Sequence, residues 1–152
     1  MTSIKYDEIF SYFLGEITDY GLAAMNISDA YELMAEYLHK SISIPYVRRL
    51  FSSISAYDNV QFVEYEMNFE NSENEDKDFV TIILSKAMLI QWLEPQVRSK
   101  VNIAQFLGGK EQSMYSQANH ISELRGMLED TQLELRKMIR DRGYINNEYL
   151  ES

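Results

Sequence analysis

The stretch from Phe79 to Leu93 is apolar on nearly every side, with Val80, Ile82, Ile83, Leu84, Ala87, Met88, Leu89, Ile90 and Trp92 between its ends. It falls short of the roughly 20 residues that a membrane-crossing helix needs. A helix that is hydrophobic all round has to be covered by protein on most sides. This run is therefore the expected central element, and the rest of the chain must be arranged around it. Pro95 is expected to kink or end it, because proline removes a helical hydrogen bond and clashes with the preceding turn. Gln96 to Leu107 reads as partly helical.

The elements that could cover such a helix are legible on either side. Ile9, Phe10, Phe13 and Ile17 have helical spacing, interrupted by Gly15, which predicts a short first helix ending near Leu14. A second helix follows, with Ser28 as its expected cap, Asp29 and Glu32 in its first turn, and a stripe of Ala30, Leu33, Met34, Tyr37 and Leu38. Pro45 suits a first helical position, and Val47, Leu50, Phe51 and Ile54 predict a third helix. From Val63 to Glu70 the period changes to strict alternation, the pattern of a strand with one buried face. Such a strand needs a partner, either a weak local segment such as Asn59 to Phe62 or a strand of another chain. Asn71 to Asp78 reads as an exposed acidic loop, with Asp76 or Asp78 starting the next helix. After the Gly108-Gly109 breaker, Glu111 to Arg142 carries the longest helical signal, striped by Ile121, Leu124, Leu128, Thr131, Leu135 and Met138. Gly143 is its expected C-terminal cap.

The predicted fold is thus mainly α: a helical bundle with a long C-terminal helix, a minor β element near residues 60–70 and an extended C-terminal tail. The predicted division is a domain over residues 1–143 and a docking tail over 144–152. A polar tail that carries Tyr144, Ile145, Tyr149 and Leu150 has reason to do so if it docks, within the molecule or onto a partner. Tyrosine and arginine are favoured at protein interfaces.

Charge narrows the function. The net charge is −10. Met1 to Asp78 holds 5 basic and 15 acidic residues, whereas Phe79 to Ser152 holds 9 of each, so the whole excess lies in the first half. Such a surface repels phosphate backbones, which disfavours DNA binding as the main role. The absence of cysteine removes disulfides, thiolate metal sites and thiol nucleophiles. With no basic start leading into an apolar core, a secretory signal is not expected, and the composition fits a protein made and used inside a cell. Gly108-Gly109-Lys110 lacks the earlier glycine and the following Ser or Thr of a phosphate loop, where Ala104 and Glu111 stand instead. His120 and Glu123 share a helical face but lack further metal ligands. The acidic run at 71–78 lacks the spacing of a calcium loop. Glu64 and Glu66 fall on the solvent face of the strand, away from any cleft that would raise their pKa. No catalytic constellation, metal site or cofactor site is expected.

Several runs resemble a family of small neck proteins of long-tailed bacteriophages, the head–tail connector (adaptor, or head-completion) proteins. They are Asp29-Ala30-Tyr31-Glu32-Leu33-Met34, Pro45 to Ser52, Trp92 to Lys100, Gly108 to Glu111, Tyr115 to His120, and Ile121 to Asn147 with Arg140-Asp141-Arg142-Gly143-Tyr144-Ile145-Asn146-Asn147. The likeness covers most of the chain, is weakest from Asp58 to Asp78, and rests on no single diagnostic motif. It implies a non-enzymatic virion protein, assembled in the bacterial host cytoplasm. Such proteins form a homo-oligomeric ring, dodecameric in the family pattern, between the portal protein and the stopper or tail-completion protein, with DNA passing through unbound. It makes Arg140, Arg142, Gly143, Tyr144, Ile145, Asn146, Asn147 and Tyr149 expected portal contacts. It makes Arg48, Arg49, Val63, Tyr65, Met67 and Phe69 expected contacts between subunits, the strand pairing across the ring. The rival expectations are a stopper or tail-completion protein, which would be richer in β-structure, and a helical regulatory module using Glu111 to Arg142 as a coiled coil.

Overall fold

A computed structural model describes residues 1–17, 26–106 and 111–145, with side chains described for 1–17, 26–98 and 121–143. The chain is mainly α, with a small three-stranded sheet. In chain order the described elements are β1 (Thr2–Lys5), α1 (Tyr6–Gly15), α2 (Ile27–Ile42), the single turn α3 (Pro45–Arg48), β2 (Phe51–Tyr57), β3 (Phe62–Met67), α4 (Glu73–Phe106) and α5 (Glu111–Ile145).

Helix α4 is the expected central element. Val80, Ile83, Leu84, Ala87, Met88 and Leu93 are fully buried along it. It packs against α5, α2, α1 and β1, which is how a helix apolar on most sides finds cover. It begins earlier than predicted. Ser72 caps it, accepting from the Glu75 N–H at 3.4 Å, and Glu73, Glu75 and Asp76 occupy the first turn, where the helix dipole favours carboxylates. Most of the supposed acidic loop is therefore helix. The helix also continues through Pro95, which neither ends it nor lies buried. Water can serve the carbonyl that the missing N–H leaves open, and the Gln96 amide donates to the Trp92 carbonyl one residue further on, at 3.3 Å.

Helix α5 runs back along α4. Asp76 meets Arg142 and Lys86 meets Glu134, so one helix ascends as the other descends. At 1.5 Å per residue each is about 50 Å long. The predicted stripe is the packed face: Ile121, Leu124, Thr131 and Leu135 are buried, and Leu128 and Met138 partly so. Thr131 is satisfied inside its own helix, donating to the Met127 carbonyl at 2.7 Å. Gly143 does not cap α5, which runs two residues beyond it through Tyr144 and Ile145. The predicted tail from 144 therefore begins as helix, and residues 146–152 lie outside the described residues.

Three further expectations are corrected, the last two by the sheet. Asn26, rather than Ser28, caps α2, its side chain accepting from the Asp29 N–H at 2.8 Å. The predicted third helix is only one turn, after which Phe51 and Ile54 lie on β2. Their spacing of three mimics a helix because a bulge between Phe51 and Ser53 inserts one residue, so both can face the core. The sheet order is β1-β3-β2, antiparallel throughout. Strand β3 thus has both flanks filled by its own chain from Phe62 to Tyr65, which corrects the expected pairing of the Val63 to Phe69 strand between subunits; Phe69 itself lies past the strand. Its inward residues Val63, Tyr65 and Met67 join Ile4, Phe51 and Ile54 in the core, with an edge-on Phe51–Tyr65 contact at 5.9 Å.

Candidate docking surface

The end of the α4–α5 hairpin nearest the chain's C-terminus gathers most of the described residues that the sequence points to. Its keystone is Arg142. One Nη2 atom donates to Asp76 Oδ1 at 2.7 Å and to the Phe69 carbonyl at 2.8 Å. Its guanidinium lies over the Phe79 ring, 4.7 Å from the centroid. The second carboxylate oxygen of Asp76 accepts from the Asn71 N–H at 2.9 Å. Arg142 and Asp76 are 8% and 5% exposed, so this charge pair is internal. Arg142 is therefore a structural clasp between α5, the start of α4 and the strand-to-helix connection. The expectation that its side chain contacts a portal is corrected, because the side chain is buried and its Nη2 is bonded within the chain.

Around this clasp the surface is recessed. A cleft of about 250 Å³ is lined by Arg49, Leu50, Asn68, Phe69, Ile139, Arg142 and Gly143. A shallower groove of about 440 Å³ lies on the other side of Arg142, between Phe79, Met138, Asn71, Glu75 and Asp141. Asn68 holds the rim in place, donating from Nδ2 to the Arg49 carbonyl at 2.7 Å and from its N–H to the Leu50 carbonyl at 3.0 Å. Phe69 is 65% exposed, a large apolar ring left in water beside a cleft. Arg49 and Arg140 are exposed, and the nearest acidic group to Arg140 is its neighbour Asp141, at 3.8 Å.

The fold thus unites Arg49 and Phe69, expected at a subunit interface, with Arg142 and Gly143, expected at a portal. Arg48 stays apart, exposed, with Nη1 3.4 Å from the Ile54 carbonyl. Val63, Tyr65 and Met67 are buried, which removes them as surface contacts. Tyr144 and Ile145 are on α5, their side chains outside those described; Asn146, Asn147 and Tyr149 lie outside the described residues, as does His120's side chain.

A second cleft, of about 570 Å³, escaped the sequence reading because its parts are far apart in the chain. It lies between α2 and the β2–β3 turn, lined by Tyr6, Tyr31, Glu32, Glu36, His39 and Asp58 among others. Tyr6 donates to Asp58 Oδ1 at 2.6 Å, His39 Nε2 lies 2.8 Å from the same oxygen, and Tyr31 donates to Asp7. The Tyr6 hydrogen bond, helped by His39, holds the Asp58 carboxyl below the usual range against the opposing effect of burial. An aspartate so occupied is a poor general base. The group fastens the β2–β3 turn to α1 and α2. Among the described residues no group of three or more His, Cys, Asp or Glu side chains could hold a metal ion.

The tyrosines set an alkaline limit. Burial first, then the bond to Asp58, pushes the Tyr6 phenol well above its ordinary value, and burial and Asp7 do the same for Tyr31. Tyr65, opposite Thr2 in the ladder, is pushed up to about 12 by burial, with Asp76 and Glu73 adding to it. These phenols ionise in the unfolded chain at about 10, while the folded chain keeps its protons. The stability they contribute is complete below that value and is lost as pH rises above it. The expected slope is about 1.4 kcal/mol per pH unit for each buried phenol. Urea midpoints measured between about pH 9 and about pH 11 check this. Tyr6→Phe should flatten the slope; an unchanged slope would exclude Tyr6 as a contributor.

No protein-family model matches this chain, and no curated protein or solved structure matches it either. Among the described residues no helix is long and apolar enough to cross a membrane.

Proposed function

We propose that this chain is a non-enzymatic neck adaptor of a long-tailed bacteriophage, joining a portal to a stopper or tail-completion protein as a ring through which DNA passes. The reading rests on the resemblance of the runs around Pro45 to Ser52, Trp92 to Lys100 and Ile121 to Asn147. The geometric observation that carries it is the hairpin end, where a cleft lined by Arg49, Arg142, Gly143 and the exposed Phe69 adjoins the last turns of α5. An exposed aromatic with arginines around a recess is the composition of a protein-binding hot spot. Glu64, Glu66 and the other carboxylates of the acidic first half suit a wall past which DNA slides without sticking.

Two observations weigh against the rivals. A stopper is expected to be richer in β-structure than this mainly α chain. A regulatory coiled coil needs the Ile121 to Met138 stripe for its partner, whereas here α4 already covers it.

The test is a pull-down from cells producing the phage, with N-terminally tagged protein, full length and ending at Ile145, followed by mass spectrometry. The shorter form keeps the Arg142 clasp and so the fold. Recovery of a portal-sized virion protein by the full-length form alone is the expected result and assigns the contact to residues 146–152. Recovery by both forms moves the contact to the hairpin end. If neither form recovers a virion protein, the adaptor reading is wrong.

A further inference from the structure

Among the described residues, strand β2 has β3 on one side and no strand on the other. Strands in such a position expose a row of unmatched N–H and C=O groups, which folds usually guard with lysine, proline or a covering element. The register shows which groups these are. Asn68 donates to Leu50 and Gln61 accepts from Tyr6 of α1, so Phe62, Glu64 and Glu66 turn their backbone groups toward β2. Their partners Tyr57, Ser55 and Ser53 turn inward to meet them, which leaves Ile54 and Ala56 facing outward. From Ser53 to Tyr57 the strand carries no proline and no charge. Its cover is the Arg48 guanidinium, 3.4 Å from the Ile54 carbonyl, a long contact for a hydrogen bond.

We infer that this edge pairs with the same edge of a second copy of the chain, antiparallel and centred on Ser55. In that register Ile54 lies opposite Ala56 of the second copy and exchanges both backbone bonds with it, and the symmetry repeats the exchange. Faces agree throughout the ladder: Ile54 and Ala56 point to the core side, while Ser55 and Tyr57 are exposed on the other face, which Ser53 shares by alternation with its hydroxyl covered. A ladder centred on Ile54 would instead run into the bulge and set an inward Phe51 against an outward Tyr57. Large Ile54 against small Ala56 packs without a clash. A local charge pair favours a copy of this chain as the occupant, against the net negative charge of the half that carries β2. Arg48 lies along the edge at Ile54, and the second copy's Asp58, two residues past its Ala56, comes beside it, whereas no like charges are brought face to face. Tyr57, 43% exposed, gains cover in the same step. The contact is isologous and closes as a two-fold dimer. A five-residue ladder is small beside the interface of a stable dimer, so association is expected only at high concentration.

The chain's lack of cysteine makes the register directly testable. Ser55 sits opposite its own symmetry mate in a pair without mutual backbone bonds, where Cβ atoms approach to about 4.5–5.5 Å. Ser55→Cys in the full chain should form a disulfide-linked dimer under mild oxidation much faster than Ser11→Cys, which places a thiol on the exposed face of α1. Ser55→Lys changes only an exposed side chain and leaves the β2–β3 backbone bonds in place; it sets two lysines against each other and should abolish the concentration-dependent mass increase expected of the unmodified chain in sedimentation equilibrium. Equal crosslinking of the two thiol variants overturns the proposal. So does an unmodified chain that stays monomeric up to near-millimolar concentration, or a dimer or larger ring indifferent to Ser55→Lys. A larger ring indifferent to Ser55→Lys would overturn this contact while leaving the neck reading standing, and the portal pull-down tests that reading separately.

Discussion

Replacing Arg142 by alanine is expected to destabilise the chain by about 3–5 kcal/mol, a large part of the 5–15 kcal/mol that holds a typical domain. The cost comes from what is left behind more than from what is lost. Without the guanidinium, Asp76 is a buried carboxylate that keeps the Asn71 N–H but has lost its counter-charge, and the Phe69 carbonyl loses a donor. Removing one partner of a buried pair costs far more than the pair contributes over an apolar replacement. The double substitution Arg142→Met with Asp76→Leu should therefore lose less than Arg142→Ala alone. Urea unfolding followed by far-ultraviolet circular dichroism measures all of these. A loss of less than about 1 kcal/mol in Arg142→Ala would mean that the pair is solvated and worth no more than a surface ion pair. The result also bears on docking, because the clasp fixes Phe69 and the end of α5 on the two sides of one cleft.

Leu135→Ala is expected to cost about 2–5 kcal/mol, whereas Leu133→Ala, two residues away, should stay within about 0.5 kcal/mol. Leu135 is 0% exposed between α5 and α4, and Leu133 is 69% exposed on the opposite face. Truncating the first leaves a cavity in a hairpin interface where little can collapse to fill it. Truncating the second removes contact mainly with water. The same urea titration separates the two. Equal losses at both positions would show that the outward face of α5 is covered in solution, as the regulatory coiled coil would require.

The wall-to-wall apolar run at Phe79–Leu93 and the stripe from Ile121 to Met138 were readable from the residues alone, because a helix that must be buried, or buried on one side, states so in its own periodicity. The alternation from Val63 to Met67 likewise defined a strand and its inward face, whereas Phe69, expected on that face, lies past the strand's end and is exposed. Where local pattern was ambiguous, contacts between distant segments decided. Phe51 and Ile54, three residues apart, fit a helix and a bulged strand equally well until β3 offered its edge, and Thr2 to Lys5 is too short to show a period at all. The roles of charged residues were the least legible. Arg140 and Arg142 are both arginines in the last turns of one helix, yet one stands in water and the other is buried on Asp76. Nothing within a few residues of either distinguishes them. Asp76 appeared to belong to a solvated acidic run, and Tyr6, His39 and Asp58 have no local relation. Sequence by itself determined which faces must be hidden, since hydrophobic burial depends on residue type and local period. Only the tertiary structure decided which charges meet and which strand edges stay open, since a buried ion pair or a free edge depends on segments brought together from 66 residues apart in the case of Asp76 and Arg142.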